Sequence, residues 1–138
     1  MVAGRRHSVY LDASAIVKLV IDEPESRTAR ERIANAAQAY TNRIAVVEVR
    51  RAVKRQSETD ASTQVSAVLK GLSMIELDVS VAESAANLEP RGLWSLDAIH
   101  LASALAIRDE LSAFVTYDTR LGEAASRAGL SVVTPRDA

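Results

Sequence analysis

A chain of 138 residues with 48% hydrophobic and 25% charged side chains is expected to form one domain, residues 1–138, with a core of ordinary size. It contains no cysteine, which excludes a disulfide framework and any thiolate metal site. A formal net charge of −1 gives no general pull toward nucleic acid, and no run approaches the ~18 apolar residues of a membrane span, so the expected protein is cytoplasmic and makes no use of a membrane.

The opening MVAGRRHSVYLD lacks the apolar stretch of a secretory signal. Within it, His7 to Leu11 reads as a buried strand, β-branched and aromatic without breakers, and Asp12 follows at its carboxyl end. Ala13 to Ile21 predicts a short buried helix. Pro24 opens a second helix to about Ala37, carrying Arg27, Arg30, Glu31 and Arg32. Ala39 to Thr41 is a short strand, and Asn42 is the expected N-cap of a helix from Arg43 to about Gln56. Asp60 caps a further helix through Leu72. Met74 to Leu77 is the next strand, and a helix from about Ser80 ends near Leu88. Pro90 and Gly92 break the chain. Ser95 caps the helix Leu96 to Ile107. Ala113 to Thr116 is a strand, Thr119 to Ala128 a helix stopped by Gly129, and Ser131 to Val133 a last strand. Short strands alternating with helices predict an α/β fold, a three-layer α/β/α sandwich with a mainly parallel sheet. Sites in such folds form beyond the carboxyl ends of the strands.

Four acids stand out. Asp12 and Asp118 each follow a strand, and each taken alone reads as a turn or helix-cap aspartate. Glu48 lies at the edge of the apolar arc Ala45, Val46, Val49, Ala52 and Val53; it reads either as a surface partner of Arg51 and Arg55 or as a half-buried carboxylate. Asp97 sits in the first turn of a helix that is apolar almost all round. The helix dipole favours an acid there by ~0.3–1 kcal/mol, but a buried carboxylate without a partner costs several kcal/mol. Carboxylates converging to ~4 Å would repel by roughly 4 kcal/mol per pair, so such a cluster needs protons or a cation. Oxygen donors select Mg2+ or Mn2+, an ion that activates water and neutralises phosphate charge.

The segments YLDASAIVKL, VEVRRAV, LDAIHLASA and TYDTRL, in this order from Val9 to about Thr134, resemble those of PIN-domain ribonucleases, and most closely the VapC-type toxins of toxin–antitoxin modules. The resemblance implies a PIN-like domain and Mg2+- or Mn2+-dependent cleavage of RNA. It implies Asp12, Glu48, Asp97 and Asp118 as both catalytic and metal-binding residues. Ser14 and Thr116 would assist with a hydrogen bond or serve as plain structural hydroxyls. It also implies a homodimer bound by a VapB-type antitoxin, lying in a groove among the helices between Pro24 and Leu72 and pointing a basic side chain at the acids.

Other residues have ordinary readings beside functional ones. His100, three after Asp97, is expected to pack or donate one hydrogen bond rather than ligate metal. Trp94 is expected against the core or at a dimer interface, with base stacking as the alternative. Arg50, Arg51, Lys54 and Arg55 form a solvated helix face that is also able to hold phosphates. Two other functions remain open on residues alone. One is another phosphate-processing enzyme or a phospho-receiver, against which the last lysine stands as early as Lys70. The other is a non-catalytic binding module whose acids receive a partner's arginine.

Overall fold

The computed structural model describes residues 7–136; the first six residues of the stretch inspected for a signal lie outside them. The elements are β1 (Ser8–Leu11), α1 (Ala13–Val20), α2 (Ser26–Ala34), β2 (Gln38–Asn42), α3 (Ile44–Gln56), α4 (Ser62–Lys70), β3 (Ser73–Ile75), α5 (Val79–Ala86), α6 (Ser95–Ala106), β4 (Leu111–Val115), α7 (Thr119–Arg127) and β5 (Val132–Val133). The strands form one sheet in the order β3-β2-β1-β4-β5, and every pairing is parallel.

Alternation along the strands divides the core between the two faces. Val9, Leu11, Ala113 and Val115 pack with Ile16, Val49, Val53 and Leu69 from α1, α3 and α4. Tyr10 and Phe114 point the other way, onto Leu101, Leu121 and Ala125 from α6 and α7. Tyr10 and Phe114 stack with centroids 5.4 Å apart. Each fully buried large side chain contributes about 1.5–3 kcal/mol. The layers are therefore helices, parallel sheet, helices, as the sequence pattern predicts.

Several boundaries differ for local reasons. Pro24 sits in a turn, and α2 starts at Ser26, whose buried hydroxyl donates to the Ile21 carbonyl at 2.9 Å. Asn42 ends β2 rather than capping from outside it, yet its Oδ1 still accepts the Ile44 N–H at 2.9 Å. Asp78 rather than Ser80 caps α5, accepting the Val81 N–H at 2.9 Å. Trp94, not Ser95, occupies the N-cap of α6 and gives it no side-chain bond. Gly129 stops α7 as expected: at φ +97° it lets the Leu130 N–H reach the Ala125 carbonyl and its own N–H reach that of Ser126, both at 3.0 Å.

Chain order along the sheet reverses between β1 and β4. The chain leaves β1 for α1 on one face and leaves β4 for α7 on the other, and this divergence opens a crevice at the carboxyl end of the sheet.

Candidate active site

Asp12 is the first residue beyond β1 and the N-cap of α1, so the cap reading is correct as far as it goes. Its Oδ1 accepts the Ala15 N–H at 3.0 Å and the Ser14 hydroxyl at 2.7 Å; its Oδ2 accepts the Thr116 hydroxyl at 2.6 Å. The two hydroxyls are themselves held. The Tyr117 N–H donates to Ser14 Oγ at 2.9 Å, and the Asp118 N–H donates to Thr116 Oγ1 at 3.0 Å. Each hydroxyl thus passes a hydrogen bond from the backbone after β4 to the carboxylate after β1. Chains of this kind polarise one another and strengthen. Burial raises the Asp12 carboxyl above its ordinary range, while Thr116, the nearby His100 and Ser14 pull it back.

The same relay fixes the loop that carries Asp118. That residue caps α7 through Oδ1, which accepts the Leu121 N–H at 3.1 Å. Glu48 projects from α3 and is partly exposed. Its partner is neither Arg51 nor Arg55: Oε1 lies 2.7 Å from His100 Nε2. A carboxylate only accepts, so Nε2 carries the proton, leaving Nδ1 to meet the Tyr10 hydroxyl at 2.7 Å. His100 therefore makes two hydrogen bonds where one was expected, and it joins a strand of the sheet to Glu48. A second such tie runs from Asn42 Nδ2 to Ser103 Oγ, 2.8 Å, fixing α6 on β2.

Asp97 differs from the other three. It is half-buried in the first turn of α6 and accepts no hydrogen bond from the protein among the described residues. Its carboxyl is pushed up to about 6, first by burial, then by the charges of Asp118 and Asp12, with a smaller push from Glu48. The other three predicted acids therefore lie within electrostatic reach of Asp97. They do not stand as a ready-made clasp: among the described residues, no three acidic or histidine side chains are grouped closely enough to hold a metal directly.

Beside Glu48 a groove of about 570 Å³ runs between α1 and α3. Val17, Val47, Leu96 and Tyr117 give it apolar walls, and Arg51 and Arg55 stand along it. From the stretch between Pro24 and Leu72, α3 lines this groove, and α3 and α4 with their connecting loop line a second one of about 430 Å³.

The model of the PIN domain family matches residues 9–127. The chain belongs to the PIN-domain family. Among curated PIN-domain relatives, ribonuclease VapC47 of Mycobacterium tuberculosis (strain CDC 1551 / Oshkosh) is 38% identical over 131 residues, covering 92% of this chain and 96% of that one. Ribonuclease VapC46 of strain ATCC 25618 / H37Rv is 37% identical over 128 residues, covering 93% and 98%. Within the PIN-domain family the chain thus groups with the VapC proteins. A solved toxin–antitoxin complex from Klebsiella pneumoniae contains a chain of the same fold, with TM-score 0.70 and 25% identity over 94% of this chain and 99% of that one.

Sequence reasoning named Ser14 and Thr116 but not their joint role, and missed the Tyr10–His100–Glu48 link and the Asn42–Ser103 tie. One signal was available: a histidine inside an apolar helix needs partners for both ring nitrogens.

Proposed function

We propose that this chain is a ribonuclease toxin that hydrolyses RNA phosphodiester bonds with Mg2+ or Mn2+ held by Asp12, Glu48, Asp97 and Asp118, and that it works in the cytoplasm under the control of a VapB-type antitoxin. The observation that carries the reading is Asp97. A half-buried carboxylate with no protein donor, in the field of three others, is relieved by a proton or a cation. The donor set is all oxygen, which suits a hard ion. Asp12, Glu48, Asp97 and Asp118 are the residues that would hold such an ion, and Mg2+ generally takes only one or two carboxylates in its own shell. Such an ion, when bound, supplies a water of lowered pKa and neutralises charge on a phosphate oxygen.

The chain's own residues do the rest. Ser14 and Thr116 aim Asp12 and favour its ionised form against the effect of burial. His100 holds Glu48. Arg51 and Arg55 line the adjoining groove, where they meet the phosphates of the strand on either side of the cut. The relationship to VapC proteins, and the likeness to a chain of the Klebsiella toxin–antitoxin complex, support the antitoxin; a homodimer is part of the same proposal. The apolar walls of the groove suit an antitoxin segment, and a basic side chain entering beside Glu48 would satisfy the acids without supplying a nucleophile.

The test is cleavage of total cellular RNA by purified protein with added Mg2+ or Mn2+, lost in Asp12→Asn and Asp97→Asn. Cleavage that survives both substitutions overturns the reading.

A further inference from the structure

Of the two places expected for Trp94, the core is excluded: the residue is 71% exposed, in the position just before α6. The guanidinium of Arg120 lies over its ring, 5.6 Å from the centroid. Both residues stand at the acidic end of the sheet. Trp94 precedes Asp97 by three residues, and Arg120 follows Asp118 by two, in the first turn of α7. A cation at a helix N-terminus is opposed by the helix dipole, so the location of Arg120 is not explained by the stability of α7. It makes no ion pair among the described residues. Leu96, next along from Ser95, is itself 47% exposed and lines the groove that contains Glu48, which places the start of α6 at the groove's mouth. An exposed indole braced on one side by a guanidinium leaves its other side open to a flat partner.

We propose that Trp94 and Arg120 form a nucleotide-gripping platform at the rim of the acidic centre. The indole stacks on an unpaired base of single-stranded RNA next to the bond being cut, and the guanidinium takes the neighbouring phosphate. This rests on the ribonuclease reading and deepens it, since it selects strands whose bases are free to splay outward. The net charge of −1 offers little general attraction, so substrate capture falls to local groups of this kind.

Trp94 is the only tryptophan, so its emission reports on this site alone. The full chain, in EDTA to prevent cutting, is titrated with a short single-stranded RNA of mixed sequence carrying a terminal dye; indole emission and dye anisotropy are read in parallel titrations. The expected result is a saturable change in emission that tracks anisotropy. Trp94→Ala weakens binding by on the order of 10- to 100-fold and raises KM with kcat nearly kept, while Trp94→Phe retains most affinity. Arg120→Ala lowers the salt dependence of binding by about one phosphate contact. Emission that stays flat while anisotropy saturates overturns the platform. So does emission that changes with protein concentration and not with RNA, which assigns the surface to a second copy. Wild-type protein that cleaves RNA without a tryptophan response leaves the ribonuclease reading intact and removes the platform. A tryptophan response without cleavage in Mg2+ or Mn2+ does the reverse.

Discussion

The carboxyl end of β1 and the amino end of α6 present an aspartate to the same field, and their surroundings treat it differently. Asp12, almost fully buried, receives two hydroxyls and a backbone N–H. Asp97, half-buried, receives none among the described residues, and its carboxyl stands at about 6. An acid surrounded by donors is part of the frame: its hydrogen bonds offset part of the cost of burying it, and removing it strands its partners. An acid left without donors beside three like charges is a standing cost to the fold, relieved only by something that arrives later.

Asp97→Asn should give the largest effect. RNA cleavage in Mn2+ should fall by roughly 10²–10³-fold, the scale for losing one preorganised charge-stabilising group. The melting temperature of the metal-free protein at pH 7 should rise by about 2–5 °C, because a repelled charge is gone. A variant that melts lower and cleaves normally would break the contrast.

Asp12→Ala should move stability the other way. It removes the cap of α1 and leaves the Ser14 and Thr116 hydroxyls without their acceptor, a loss of about 2–4 kcal/mol in urea unfolding. His100→Gln should come next. Glu48 loses its fixed orientation, and activity should fall by about 10- to 100-fold, with a higher Mn2+ concentration needed for half-maximal rate and circular dichroism unchanged. An unchanged metal requirement would assign His100 to packing alone.

The smallest effect is in the pH dependence of folding. Asp97 moves from an ordinary value of 3.8 to about 6 in the folded chain, so between those values the folded state binds more protons than the unfolded one. Its contribution to stability is therefore present below about 4 and is lost as pH rises through about 6. The difference in melting temperature between Asp97→Asn and metal-free wild type should widen over that window, and saturating Mn2+ should close it. A difference that is flat with pH would place Asp97 outside the field of its neighbours.

The fold was largely readable because its signals are local. The unbroken apolar run around Tyr10, the breakers at Pro90 and Gly92 and the stop at Gly129 each act within a few residues. So do the positions of Asp12, directly after β1, and Asp118, three residues past the end of β4, each at the N-cap of the helix that follows. What escaped reading acts across the chain. His100 meets Tyr10 90 residues earlier and Glu48 52 residues earlier, and Thr116 meets Asp12 across 104. Sequence spacing gives no register between α3 and α6, so Glu48 read equally well as a partner for its own Arg51 and Arg55. Of the places expected for Trp94, its exposure removes the core, because whether an aromatic beside a chain break turns inward depends on distant packing that the sequence does not display.

The outermost strands of the sheet, β3 and β5, are three and two residues long. So short a row of open amides gives a stray extended segment almost nothing to zip onto. Crowded molecules thus have little sheet edge through which to grow into fibrils, and helices and loops make up most of the surface a lasting companion would meet.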